Sequence, residues 1–132
     1  MNATIENIMT SVVVCANVDY SVTEVMDIMD TEELHCLPVI DNSGHCVGII
    51  SGTDLLRWHK LRKRSSDVDA SEILSQPVIT ISPDVAILEA TKLMVKNKVH
   101  HLIVVDQGEL VGIVSAMDVL EQFLSVSDPN WL

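Results

Sequence analysis

The stretch GIISGTDLL at residues 48–56 returns almost unchanged as GIVSAMDVL at residues 112–120. Each copy runs from a short apolar segment through Ser-x-x-Asp into a second segment that is typical of a helix start. The likeness continues upstream, where residues 8–41 match residues 73–106 at an offset of 65. We therefore predict that the chain is two copies of one small unit, with the shared Ser and Asp at the same structural corner of each copy.

One copy reads as β-α-β-β-α. Apolar side chains of the stretch 22–29 recur at i, i+3, i+4 and i+7, which predicts the first helix. A short apolar run at 12–15 precedes that helix, and two β-type runs around a Gly-containing turn follow it, CLPVI and CVGII. The last helix is predicted at about 53–63. The second copy repeats the order, with its opening strand at 78–81 and its last helix at about 117–125.

These elements predict an α/β (α+β) fold in which two β-α-β-β-α units pack as an intramolecular pseudo-twofold pair. A half of about 60 residues buries only a marginal core by itself, so the copies are expected to share an interface. We place the first unit at residues 5–64, a polar linker at 65–72, the second unit at 73–126 and a C-terminal tail at 127–132.

Composition excludes several classes of protein. A net charge of −11 argues against the phosphate attraction of a nucleic-acid binder. No apolar run approaches the roughly 20 residues of a membrane span, and the N-terminus lacks the features of a secretion signal. We expect a soluble, cytoplasmic protein. Five of the eight basic residues lie at 57–64, which suits either a solvated helix end or a clamp for ligand phosphates or an acidic partner.

The sequence predicts neither a metal site nor an enzyme. Cys15, Cys36 and Cys46 form no CxxC pair and read as reduced, buried thiols. The dipeptides His-Cys at 35–36 and 45–46 match no zinc-ligand spacing. The chain also lacks a glycine-rich phosphate loop and a recognisable pair of nucleophile and base.

The Ser-x-x-Asp corners allow two interpretations. Ser51 and Ser115 can each cap the following helix, with Asp54 and Asp118 answering from its third position, an arrangement worth about 1 kcal/mol. Alternatively, the helix N-terminus attracts a phosphate, the carboxylate accepts hydrogen bonds from a ribose diol, and the apolar strand forms a wall for a base. An Asp that faces a sugar cannot also cap its own helix fully, so the two interpretations are distinguishable.

The chain resembles a pair of cystathionine β-synthase (CBS) domains, also called a Bateman module. The resemblance covers about residues 5–125 and is strongest where VHHLIVVD at 99–106 is followed by GIVSAMDVL. This segment is similar to the last CBS repeat of the gamma subunit of AMP-activated protein kinase. The resemblance implies two clefts for adenine nucleotides, each combining the Ser/Thr-x-x-Asp corner of one unit with the opening strand of the other.

Carried over residue by residue, the resemblance implies the following ligand-binding residues. One cleft would combine residues of the second unit with three of the first: Ile113, Ser115, Asp118 and His100, with Val14, Leu34 and His35. The other would combine the first corner with residues of the second unit: Ile49, Ser51 and Asp54, with Ile79, Thr80 and Val99.

The resemblance also implies roles for the cleft around Asp118. Asp118 would bind the ribose, Ser115 the ribose or a phosphate, and His100 a phosphate, while Ile113 and Val14 would flank the base. An Arg of the kinase subunit is replaced here by His101, which is mostly neutral at pH 7, so phosphate affinity should be weaker. Simple alternation along a strand, with one histidine inward and one solvated, is the other explanation for this pair.

Two functions follow as hypotheses. The first is a non-enzymatic sensor that needs no cofactor, binds AMP, ADP, ATP or a related adenosyl ligand, and signals to an unknown effector through its conformation or partner affinity. The second is a structural homodimerisation scaffold with empty or vestigial clefts, since the family commonly forms flat homodimers. If only one cleft is occupied, we expect it to be the one built around Asp118.

Overall fold

A computed structural model of the chain describes residues 3–11, 14–60, 68–76 and 78–131. The described residues form two compact units. The central unit comprises residues 14–78, and the terminal unit combines residues 3–11 with residues 79–131. The α+β class is confirmed, as is the β-α-β-β-α order of both copies.

The central unit is a three-stranded sheet with helices. Its strands are β2 (Ala16–Asn17), β3 (Cys36–Ile40) and β4 (Cys46–Ser51), and its helices are α1 (Val22–Thr31), α2 (Gly52–Lys60) and α3 (Ala70–Ile73). Strand β3 is parallel to β2 and forms an antiparallel hairpin with β4. Helix α1 begins where predicted, because the Ser21 hydroxyl accepts a hydrogen bond from the Glu24 N–H at 3.1 Å.

The terminal unit is a four-stranded sheet with two long helices. Its elements are β1 (Thr10–Ser11), β5 (Thr80–Ile81), α4 (Ile87–Asn97), β6 (His101–Asp106), β7 (Glu109–Ser115) and α5 (Ala116–Ser127), preceded by a 3-10 turn at Ile5–Asn7. The sheet order is β1-β7-β6-β5, with a β6–β7 hairpin and β1 antiparallel to β7. The helix that directly follows Ser-x-x-Asp is α2 in the central unit and α5 in the terminal unit.

The repeated Gly of each GI-x-S-x-x-D stretch is explained by a neighbouring backbone. A Cβ atom at Gly48 would lie 2.9 Å from the Ser75 carbonyl oxygen, and one at Gly112 would lie 3.0 Å from that of Thr10. Real Cβ atoms rarely come so close, so the strand needs a residue without one where this neighbour passes. The Gly that recurs in both copies of the sequence therefore corresponds to the same close backbone contact in both units.

The compact units differ from the predicted repeat boundaries of 5–64 and 73–126. Residues 3–11 belong to the terminal unit, and the described residues 68–76 belong to the central unit. Each of these segments lies at the edge of a sheet, beside the strand that carries the repeated Gly. This pairing explains why each segment belongs to the unit of that strand and not to the neighbouring repeat. Residues 68–72, interpreted as part of a linker, are instead folded, since Val68 and Ala70 are buried. The linker positions 65–67 and the end of the predicted helix 53–63 lie outside the described residues.

Each unit has its own core. The central core contains the buried residues Ala16, Val25, Met29, Leu37, Val39, Ile50 and Ala70. The terminal core contains Ile5, Ile81, Ala90, Met94, Leu102, Val104 and Val114. Met29 and Met94 lie in these cores, whereas Met26 is exposed. Within the described part of the chain, no helix is both long and apolar enough to cross a membrane.

Candidate functional site

The second corner, defined as Ser115 to Asp118, forms a complete capping box where β7 becomes α5. The Ser115 hydroxyl oxygen accepts a hydrogen bond from the Asp118 N–H at 3.0 Å, and Asp118 Oδ2 accepts one from the Ser115 N–H at 2.8 Å. Asp118 Oδ1 accepts no hydrogen bond from any described residue. The cap therefore occupies one carboxylate oxygen of this half-buried side chain and leaves the other unpaired within the described structure. Contrary to the expectation from the sequence, a complete cap at this corner does not by itself exclude hydrogen bonds from a sugar to Asp118.

The first corner, defined as Ser51 to Asp54, has the same sequence pattern but different bonding. Asp54 Oδ2 accepts hydrogen bonds from the Ser51 N–H at 2.8 Å and from the Ser51 hydroxyl at 3.1 Å. The hydroxyl thus donates here instead of accepting, so the predicted capping box is only half formed. Asp54 Oδ1 accepts a 2.5 Å hydrogen bond from the Ser75 hydroxyl and lies 3.7 Å from Arg57 Nη1.

The environment of the two aspartates follows from this bonding. The side chain of Asp54 is only 2% exposed, whereas Asp118 is half-buried. Burying a carboxylate is costly unless hydrogen bonds replace its water, and Asp54 has three such bonds. Asp54 is therefore satisfied from within the protein, while Asp118 retains accepting capacity.

The two neighbouring histidines differ in exposure. His101 opens β6 opposite Ser115 and is half-buried, whereas His100 is exposed. Burial lowers the pKa of His101, His100 lowers it further, and Asp118 opposes both effects. The imidazole of His101 is accordingly neutral at pH 7, as the sequence predicted. The backbone carbonyl of His100 accepts a hydrogen bond from the Ala116 N–H at 2.9 Å, and contact of its side chain with a phosphate stays a prediction.

A cavity of about 760 Å³ lies beside the first corner, inside the central unit. It is lined by Met29, Asp30, Glu33, Leu34, His35, Ser51, Gly52, Thr53 and Leu55. The structure thus brings Ser51 together with Leu34 and His35, which the resemblance had assigned to the other cleft. The lining includes two carboxylates and the first residues of α2, whose N–H groups have no partner within the helix. Asp54 does not line this cavity.

The remaining predicted ligand residues lie within one unit or the other. Ile49 and Ile113 are half-buried at equivalent places in β4 and β7. Val14 packs against the core of the central unit, and Val99 packs against that of the terminal unit. Each stays a predicted ligand contact.

Ile79 and Thr80 open the second copy of the fold. The carbonyl of Ile79 accepts a hydrogen bond from the Ile103 N–H at 3.0 Å, and Thr80 is exposed in β5. Strand β5 is parallel to β6, as an opening strand of the repeat should be. Their predicted contact with a ligand at the first corner is likewise untested.

Sequence reasoning missed Ser75, which contacts the first corner from outside its repeat. A signal was present, because the offset of 65 matches Ser75 with Thr10, so both copies carry a hydroxyl there. Ser75 forms a bridge with Ile49, and Thr10 pairs with Ile113, which confirms that the two hydroxyl residues are structurally equivalent.

The cysteines are three half-buried free thiols. Burial raises the pKa of each, and that of Cys36 reaches about 12, with further contributions from Asp54 and Cys46. No group of three or more His, Cys, Asp or Glu side chains suited to a metal occurs among the residues that the structure describes.

Known proteins resemble this chain over nearly its full length. The family model for the CBS domain matches residues 5–60 and again residues 70–125. A CBS domain-containing protein of Dictyostelium discoideum is 29% identical over 98% of this chain and 97% of its own length. A solved CBS domain pair in complex with 5′-methylthioadenosine and S-adenosyl-L-methionine has a TM-score of 0.84 and 25% identity, covering 96% of this chain and 100% of that chain.

An enzyme also contains a matching segment. An inosine-5′-monophosphate dehydrogenase of Methanocaldococcus jannaschii is 33% identical over 111 residues, or 83% of this chain. The chain spans only 21% of the length of that dehydrogenase. The likeness therefore concerns one segment of the enzyme.

Proposed function

The chain belongs to the CBS domain family, and from this premise we propose that it is a regulatory module that binds an adenosine-containing ligand at the second corner. The observation that carries the proposal is the unpaired Oδ1 of Asp118 beside an ordered helix N-terminus. A carboxylate oxygen in this position accepts hydrogen bonds from a ribose diol, as acidic residues do in dinucleotide sites. A related CBS pair of the same fold was solved with two adenosyl compounds, which supports this ligand class.

The ligand is expected to be recognised mainly through its nucleoside. His101 adds no positive charge at pH 7, because burial lowers its pKa, so a phosphate gains little from it. The half-buried Ile113 of β7 offers apolar surface for a base. AMP, ADP, ATP, 5′-methylthioadenosine and S-adenosylmethionine share this nucleoside, and we propose that one of them or a close relative is the ligand.

Thermal-shift and calorimetric titrations test the proposal. An adenosine compound should raise the melting temperature of the protein, since a ligand at 100 times its Kd stabilises the folded state by about 2.7 kcal/mol. Replacing the ligand by its 2′-deoxy analogue should weaken binding roughly tenfold or more, because one diol hydrogen bond to a charged group is lost.

Two variants make the test specific. Asp118→Asn should abolish the discrimination between ribose and deoxyribose, because the amide cannot accept the same pair of hydrogen bonds. Asp106→Asn, an exposed change at the end of β6 in the same unit, should leave both affinities unchanged. Absence of a shift with any adenosine compound at millimolar concentration would reject the ligand class.

We propose that the module acts without catalysis and signals by changing its conformation or its affinity for an effector. At the two corners, the Ser51 hydroxyl donates to Asp54 and the Ser115 hydroxyl accepts from the Asp118 N–H, so neither serine is paired with a histidine base. A ligand biases such an equilibrium only by binding one conformation more tightly than another. Conversion of a bound nucleotide by the purified protein, followed by chromatography, would contradict this part of the proposal.

A structural homodimerisation scaffold is the second candidate function. It is favoured by apolar side chains spaced three apart along α5, where Met117, Leu120, Phe123 and Val126 are all more than half exposed. Analytical ultracentrifugation should then find a dimer that Phe123→Glu dissociates. A monomer at all concentrations would leave the scaffold without support.

A further inference from the structure

We propose that Asp54 and Ser75 form a structural latch that withdraws the first corner from ribose recognition. The chain would then have one nucleoside-diol site, at Asp118, although its sequence repeats the Ser-x-x-Asp pattern twice. Ser75 supplies the hydroxyl that occupies Asp54 Oδ1. The inference rests on the proposed function for its ligand, while the latch itself has consequences for stability that need no ligand.

Most of the accepting capacity of Asp54 is already used. Its Oδ2 accepts hydrogen bonds from the Ser51 N–H and hydroxyl, and its Oδ1 accepts one from the Ser75 hydroxyl at 2.5 Å. A ribose diol donates two hydrogen bonds, so it would have to displace at least one of these contacts. Because the carboxylate is 2% exposed, the diol would also have to enter the protein interior to do so.

The equivalent hydroxyl does not close the second corner. Thr10 stands opposite Ile113, as Ser75 stands opposite Ile49. Thr10 is nevertheless exposed, and the described residues include no hydrogen bond from it to Asp118. The same position of the repeat is therefore Ser75 in the central unit, which is hydrogen-bonded to Asp54, and Thr10 in the terminal unit, for which the described residues include no bond to Asp118.

The charges three residues after each aspartate also differ. Arg57 Nη1 lies 3.7 Å from Asp54 Oδ1, whereas Glu121 follows Asp118 at the matching position. The Arg57 side chain is 67% exposed, so its ion pair contributes little by itself. Arg57 nevertheless places a positive charge three residues after Asp54, whereas Glu121 places a negative charge three residues after Asp118.

The cavity beside the first corner agrees with the latch. It is lined by Ser51, Gly52 and Thr53 but not by Asp54, whose carboxylate faces Ser75 instead. A small molecule in this cavity therefore meets the start of α2 without reaching the carboxylate. The two aspartates of the repeated Ser-x-x-Asp pattern therefore have different chemical roles.

A double-mutant cycle tests the latch without ligand. Ser75→Ala should lower the melting temperature by roughly 5 °C, because it leaves one oxygen of a buried carboxylate unpaired. In the Asp54→Asn background the same change should cost much less, since the two residues act through one contact. The matched control Thr10→Ala should shift the melting temperature by less than about 1 °C. Equal losses for Ser75→Ala in both backgrounds would overturn the latch.

Calorimetry with 5′-methylthioadenosine tests the consequence of the latch for ligand binding. We expect one site per chain in the unaltered protein, lost in Asp118→Asn and retained in Ser75→Ala and Asp54→Asn. Two equivalent sites, of which Asp54→Asn removes one, would overturn the inference and leave the proposed function intact. If no adenosine compound binds, the proposed function fails with the diol site, and the coupling of Ser75 to Asp54 alone decides whether the latch exists.

Discussion

Replacing Gly48 by Ala should destabilise the protein through a single methyl group. The added Cβ would lie 2.7 Å from Leu74 Cδ1 and 2.9 Å from the Ser75 carbonyl oxygen, and the second of these atoms belongs to the backbone. Overpacking of this kind costs about 1–3 kcal/mol. The lower entropy of the unfolded alanine chain returns about 0.4–1 kcal/mol, so we expect a net loss of about 1–2 kcal/mol.

Urea unfolding followed by circular dichroism measures this loss as a lower midpoint at an unchanged slope. Gly52→Ala is the matched control, since a Cβ there meets nothing within 4 Å and the second copy has Ala116 at the same place. It should be neutral or stabilising by up to about 1 kcal/mol. Gly112→Ala should cost a similar amount, because its Cβ would lie 3.0 Å from the Thr10 carbonyl oxygen. Equal stability of the Gly48 and Gly52 variants would refute the close approach of the 74–75 backbone.

Three further outcomes follow from buried groups. Leu102→Ala removes a fully buried side chain and should lower the free energy of unfolding by about 2–5 kcal/mol in the same urea titration, whereas the exposed Leu120→Ala should change it by less than about 0.5 kcal/mol. Because burial raises the pKa of Cys36 to about 12, this thiol should react slowly with a disulfide reagent at pH 8 in the folded protein and rapidly in urea; labelling at one rate in both states would contradict its burial. The pKa of His101 is lower in the folded than in the unfolded chain, so its contribution to stability is present above about pH 6.5 and is lost as the pH falls through the folded value. His101→Gln should therefore flatten the loss of stability between about pH 7 and 5, and an unchanged acid limb would count against the assignment.

Local features of the fold could be predicted from the sequence because each depends on neighbours in the chain. The Ser21 cap, the hairpins and the helices after each Ser-x-x-Asp follow from side-chain periodicity and capping chemistry. Because the unit is repeated, each element could be predicted a second time from the other copy. The capping box at Ser115 formed as predicted, because all four atoms lie within four residues.

Features that depend on distant residues were not predictable in the same way. The sequence of a strand at a sheet edge does not show which distant segment will pair with it. The assignment of residues 3–11 to the terminal unit and of residues 68–76 to the central unit was therefore missed. The difference between Asp54 and Asp118 arises from Ser75, which is 21 positions away from Asp54. Strand alternation predicted that one of His100 and His101 points inward, but only the register of β6 with β7 identifies His101.

The discontinuous terminal unit has a consequence for the order in which the chain can fold during synthesis. Pairing of Ser11 with Gly112 closes a loop of about a hundred residues, whereas the central unit is a continuous segment within residues 14–78. Contacts of such high contact order form late, because the entropy of closing the loop must be overcome first. On the ribosome, the central unit has all its residues once position 78 has emerged, but residues 3–11 must wait for β7. Residues 3–11 are thus synthesised before the central unit and yet are among the last to find their partner, which makes them a natural point of access for chaperones and proteases.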